Sequence, residues 1–159
     1  LRGILMARGD FTVFNEFLIS LGEKLINLET DTIKLGLIDN VVTPLVDTAT
    51  PTWDGTSSQE YDGNEVATSA EYPAGGLTLS GPELVRLAAV ATFDDDDSDL
   101  SIAQNGAGFT DAYWGILYSD TATAKNAIGF LDMGGPVSQQ AGPININWSG
   151  SGILTITRT

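Results

Sequence analysis

The pattern of apolar and polar positions changes period near residue 30. Over residues 12–28, Phe14, Phe17, Leu18, Leu21, Leu25 and Leu28 recur at steps of three and four, while Asn15, Glu16, Glu23 and Asn27 fall mostly off that stripe. This spacing predicts one amphipathic helix near the N-terminus. Asp10 or Thr12 can accept hydrogen bonds from the free amides of its first turn, and Glu16 suits the positive end of the helix dipole. Gly22 weakens this helix by about 1 kcal/mol relative to alanine, so the helix is expected to lean on its own sheet or on another subunit.

After Thr30 the period is two. Ile33, Leu35 and Leu37 alternate with Thr32, Lys34 and Gly36 up to the turn-like pair Asp39-Asn40, the signature of a half-buried strand. Further strands are expected over residues 65–70, 76–79, 83–93, 112–118, 127–131, 143–148 and 152–157. Asp54-Gly55, Asp62-Gly63, Asn105-Gly106 and Gly134-Gly135 are expected to turn with positive φ. Short strands at this spacing predict a mainly β protein, an antiparallel β-sandwich or barrel with one N-terminal amphipathic helix. The expected core is Ile33, Leu35, Leu37, Leu87, Trp114, Ile116, Phe130, Ile146, Trp148 and Ile156.

The organisation read from this is an N-terminal arm over residues 1–11 and a single β-rich domain over 12–159, containing the helix 12–28 and a long loop 39–64. Met6 is the expected first residue, with residues 1–5 as an upstream extension. The loop is rich in Thr, Asp, Gly and Pro; at this length it is functional, disordered or hides a strand, and Trp53 and Tyr61 indicate that part of it is pinned.

Composition narrows the chemistry. Neither cysteine nor histidine occurs, which removes thiol nucleophiles, Cys/His zinc sites, imidazole catalysis and disulfides. Seven basic against 21 acidic side chains give a net charge of −14. Between Lys34 and Lys125 the only cation is Arg86, so no basic groove for nucleic acid can be assembled there. No apolar run approaches the roughly 18–20 residues that span a bilayer, and residues 1–8 are too short for a secretion signal. A soluble protein without a membrane or nucleic-acid partner is expected.

Three constellations bear on chemistry. Asp94, Asp95, Asp96, Asp97 and Asp99 place carboxylates at alternate positions like the opening of a calcium loop, but counted from Asp95 the sixth and twelfth positions are Leu100 and Gly106 instead of Gly and Glu. A solvated, self-repelling turn is the expectation there. Glu65, Glu71 and Glu83 could supply the two carboxylates of a glycoside hydrolase, with Trp53, Tyr61, Tyr72, Tyr113 and Trp114 as sugar platforms, yet nothing fixes a pair at the required separation and strand packing accounts for the aromatics. Gly106-Ala107-Gly108 lacks the helix start and Lys-Ser/Thr pair of a phosphate loop and is expected to be a turn. The segment 113–118, apolar on both faces, is expected to be a central strand covered twice. The sequence nominates no catalytic, cofactor-binding or metal-ligating residue and predicts a non-enzyme.

Several segments together resemble the small virion proteins of tailed bacteriophages, in particular head decoration or cement proteins and related minor structural proteins. They are FNEFLISLGEKL, DTIKLGLI, EYPAGGLTLSG, AYWGILYSD followed by AIGFLDMGG, and ININWSGSGILTI, and they span Phe14 to Thr157. The resemblance lies in the order of hydrophobic segments and turns, and no residue-level role carries over. It implies an accessory protein on the virion surface that binds the major capsid protein of an assembled head and stabilises it, commonly as a homotrimer. The arm and helix, residues 1–28, or the loop 39–64 are expected to contact neighbours. Two other classes fit the same residues: a tail, baseplate or fibre-attachment module, and a carbohydrate-binding module or small glycan hydrolase. The last requires Trp53, Tyr61 and Tyr72 to line one exposed face beside a carboxylate.

Overall fold

The computed structural model describes residues 11–55, 59–95 and 99–158. The chain is mainly β. In order it forms β1 (Phe11–Val13), α1 (Phe17–Gly22), β2 (Ile33–Ile38), β3 (Pro51–Thr52), β4 (Gln59–Glu60), a 3-10 turn (Asp62–Asn64), β5 (Leu77–Thr78), β6 (Pro82–Leu87), β7 (Val90–Asp95), β8 (Leu100–Ile102), β9 (Ala112–Ser119), β10 (Ala127–Val137), β11 (Ile144–Ile146) and β12 (Leu154–Thr157). A five-stranded sheet has the order β1-β10-β9-β2-β5, beside a three-stranded sheet β12-β7-β6 and the pairs β11-β8 and β3-β4. All pairings are antiparallel except β3 with β4. Among the described residues no sheet closes into a barrel.

The five-stranded sheet separates two apolar clusters because side chains alternate across a strand. On β2, Ile33, Leu35 and Leu37 face a large cluster that includes Leu117, Leu131, Phe93, Ile102, Ile146 and Leu154. Ile38, Ile116, Tyr118 and Phe130 face the other way, into a smaller cluster closed by Phe14, Trp53 and Tyr61. The expected central strand is β9, flanked by β10 and β2 and covered on both faces. Complete burial of each large aliphatic side chain here stabilises the fold by about 1.5–3 kcal/mol.

The N-terminal expectation needs correction. The helix covers only Phe17–Gly22, and Phe11–Val13 is instead an edge strand on β10, with Phe11 opposite Leu131. Phe14 extends this edge by donating its N–H to the Ile128 carbonyl at 3.0 Å. Two features shorten the helix. The β-branched Thr12 and Val13 gain a sheet partner there, and Lys24 takes φ 60° just past Gly22, which ends helical propagation. Glu16, not Asp10 or Thr12, holds the cap position, without a side-chain cap; Asp10 lies outside the described residues. Phe14, Phe17 and Leu28 of the apolar stripe are buried, whereas Leu18 is 64% exposed and Leu25 45%.

The expected single strand 83–93 is a hairpin, β6 and β7, turning at Ala88-Ala89 with Leu87 opposite Val90. Ala88 sits at φ 54°, a conformation that glycine or asparagine normally supplies. Leu87, expected in the core, stands at the tip and is 80% exposed. The rest of the expected core is buried (Ile33, Leu35, Leu37, Ile116, Phe130, Ile146) or half-buried against it (Trp114, Trp148, Ile156). No strand forms over 65–70, where only Glu65 makes an isolated bridge to Ile38. The loop 39–64 contains the β3-β4 pair and buries Trp53 and Tyr61. Of the four turn pairs, only Gly134 takes positive φ, 63°; Asp62-Gly63 lies within the 3-10 turn.

Candidate functional site

Sequence-distant side chains converge on a polar cleft of about 310 Å³ lined by Lys34, Trp53, Asp62, Glu65, Tyr118, Asp120 and Lys125, among others. β2 supplies Lys34 and β9 supplies Tyr118, whose cross-strand pairing sets them side by side. Asp120, just past β9, binds both ammonium groups: Lys34 Nζ at 2.9 Å and Lys125 Nζ at 2.5 Å. These partners, Lys125 foremost, hold its carboxyl below the usual range. Trp53 stacks on Tyr118 with centroids 5.0 Å apart and planes at 6°, and the Tyr118 hydroxyl donates to the Gly75 carbonyl at 2.7 Å.

Glu65 behaves oppositely. Its Oε1 accepts from the Gly75 N–H at 2.8 Å and from the Tyr72 hydroxyl at 3.1 Å, yet burial outweighs these bonds and pushes its pKa up. Tyr72, itself buried, also accepts the Leu37 N–H at 2.6 Å. A readily protonated and an ionised carboxyl in one cleft is the kind of pairing that acid–base hydrolysis uses. Here, however, each is committed to structural donors: Glu65, through the Tyr72 hydroxyl that binds Leu37, clamps the strandless segment 65–76 against β2, and Asp120 ties Lys34 to Lys125.

The sign of the pH effect follows. Because the folded state raises the Glu65 pKa, its contribution to stability is complete below the ordinary carboxylate range and is lost as pH rises through the raised value. Asp120 works the other way: its contribution holds above the ordinary range and is lost as pH falls through the lowered value. Glu65→Gln keeps an acceptor for Gly75 and Tyr72 and removes the buried charge. Its melting temperature at pH 7 is expected to exceed that of the parent, with the difference shrinking toward pH 4. Thermal melts across that range check this, and a lower value at pH 7 contradicts it.

The remaining candidate carboxylates lie elsewhere. Glu71 accepts from the Asn105 amide at 2.6 Å, which lowers its pKa, and Glu83 projects from β6. Of the five aromatics proposed as sugar platforms, Trp53, Tyr61 and Tyr72 are buried and Tyr113 and Trp114 are half-buried in β9. The exposed face that a sugar-binding surface needs from the first three is therefore not formed. Asp94 and Asp95 belong to β7 and Asp95 is buried, a departure from the expected solvated turn; Asp96 and Asp97 lie outside the described residues. Among the described residues no group of three or more carboxylates is placed to hold a metal ion, and no helix is long and apolar enough to cross a membrane. Gly106-Ala107-Gly108 is a turn, with Asn105 accepting from Ala107 and Gly108.

Two further surface features stand apart from the cleft. A groove of about 680 Å³ runs between Phe11, Leu131 and Met133 on one side and Ile144, Ile146, Trp148 and Ile153 on the other, with Asp132 as its charged residue. The loop after β2 docks just ahead of α1, the Asn15 N–H donating to the Val46 carbonyl at 2.9 Å; Leu45 and Val46 on that loop and Leu18 and Ile19 on α1 are exposed. Sequence reasoning had the helix and loop as contact elements; it missed the groove, whose walls come from β1, β10, β11 and the approach to β12. Compared with family models, curated proteins and solved structures, the chain matches none.

Proposed function

We propose that this chain is a structural virion protein that decorates the assembled head of a tailed phage, binds its major capsid protein and stabilises the shell without chemistry of its own. The observation that carries the reading is the exposed apolar side chains on α1 and on the loop after β2, Leu18 at 64% and Leu45 at 59%, on segments tied together by the Asn15–Val46 hydrogen bond. Apolar surface of this kind on an otherwise acidic protein marks a contact with another protein. The cleft carboxylates are spent on holding the fold, and a net charge of −14 keeps the outer surface from adhering to nucleic acid. The order of hydrophobic segments resembles that of decoration proteins along nearly the whole chain. In this reading the sheets pack face to face as a sandwich, and three copies associate on the capsid surface.

Cryo-electron microscopy of the source particle tests the location. Density for this fold on the outer face of the head, with Leu18 and Leu45 against the shell, is the expected result. Density on the tail or baseplate would replace decoration with an attachment role.

A further inference from the structure

The turn over residues 105–108 holds an asparagine side chain over its own backbone. Asn105 Oδ1 accepts from the Ala107 N–H at 2.8 Å, and the Asn105 carbonyl accepts from the Gly108 N–H at 3.0 Å. The first of these bonds folds the side chain into a mimic of a backbone turn, with Cγ in the place of a main-chain carbonyl carbon. That sets Cγ about 3–3.5 Å from the Gly106 nitrogen, the separation of a reacting pair. The other end of the amide is fixed too, Nδ2 donating to Glu71 Oε2 at 2.6 Å. Gly106 is exposed, no atom lies within 4 Å of where its Cβ would be, and among the described residues its N–H has no hydrogen-bond acceptor. Of the asparagines in the chain only Asn105 precedes a glycine.

We propose that Asn105 is a self-modification site, at which this turn closes into a succinimide that opens to aspartate and isoaspartate. Hydroxide from the solvent takes the Gly106 N–H proton, and the electron pair of the nitrogen forms a bond to Asn105 Cγ. Negative charge gathers on Oδ1, where the Ala107 N–H already points, a donor placed like that of an oxyanion hole. The pair returns from Oδ1 as the Cγ–Nδ2 bond breaks, and Nδ2 leaves as ammonia after taking a proton from water. Water then adds to either ring carbonyl and opens the ring. Nothing is oxidised or reduced; in net terms a water is consumed and an ammonia released. Glycine suits the position after the asparagine because no Cβ hinders the attacking nitrogen.

The product alters a tie between two segments. Glu71 loses its amide donor and faces a new carboxylate, so like charges replace a hydrogen bond. The link from Ser69, on the same segment as Glu71, to the buried Gln139 side chain at 3.0 Å remains.

Ageing the purified full chain in mildly alkaline buffer, followed by mass mapping of the peptide between Arg86 and Lys125, tests it. Asn105 is expected to gain about 1 Da. Anion exchange is expected to resolve the product, which adds a negative charge to a chain already at −14, and the product is expected to melt at a lower temperature than the parent, as does Asn105→Asp. The native turn is expected to react at least about threefold faster than the same chain unfolded in urea, because the fold holds the reacting atoms together. Gly106→Ala, with open space around the new Cβ, is expected to keep the parent melting temperature and to slow the reaction at least about tenfold. A native chain that gains no mass at Asn105, or gains it more slowly than in urea, would show that the fold protects the amide and would overturn the proposal. So would a Gly106→Ala chain that reacts at the parent rate.

Discussion

Gly76→Ala is expected to destabilise the protein by about 3 kcal/mol or more. Gly76 takes φ 87°, and a Cβ there would press into the Leu35 carbonyl and the Gly36 Cα, both backbone atoms of β2. Neither can move without breaking the β2-β5 register of Lys34 with Thr78 and Leu35 with Leu77. The alanine therefore meets both an unfavourable backbone conformation and a clash that no rotamer relieves. The same residue anchors the clamp described above, since its N–H donates to the Pro73 carbonyl at 3.0 Å and its neighbour Gly75 donates to Glu65. Denaturant titration measures the loss. A change below about 1 kcal/mol would mean that the close approach of segment 73–76 to β2 is wrong.

Trp53→Ala is expected to cost about 3–5 kcal/mol, the range for removing a large buried aromatic. Its ring lies over Gly36, where a Cβ would meet the indole, and parallel to Tyr118. Removing it exposes Ile38, Ile116 and Phe130 of the smaller cluster to the cleft and leaves the Lys34–Asp120–Lys125 group beside a void. The segment carrying Trp53 stays attached by its own backbone, the Trp53 N–H donating to the Lys125 carbonyl at 2.9 Å, so the loss is one of packing. A measured cost under about 1 kcal/mol would show that the loop 39–64 does not close this face of the sheet.

The strands legible in the sequence are those whose alternation is long enough to outvote local noise. Ile33, Leu35 and Leu37 specify β2, and the unbroken run Tyr113 to Tyr118 specifies a doubly covered β9. The apolar stripe over residues 12–28 overstates the helix because Phe14 and Phe17 satisfy a helical step while packing into different clusters, one on each face of the sheet. The hairpin at 88–89 left no trace because two alanines make the turn, and the strain at Ala88 is invisible without its φ. That same turn converts Leu87 from an apparent core residue into a knob. The cleft could not be read at all: Lys34, Trp53, Glu65, Tyr118 and Lys125 share no spacing, and only the pairing of β2 with β9 and the return of two loops bring them together.

Heating particles that lack the protein, with and without its addition, measures the shell-stabilising role most directly. A ligand that binds the assembled shell but not its separated subunits stabilises the shell by RT ln(1 + [L]/Kd) per site. DNA release is therefore expected at a higher temperature with the protein present, rising with its concentration until the sites fill. Release at the same temperature with and without the protein would contradict a cementing role.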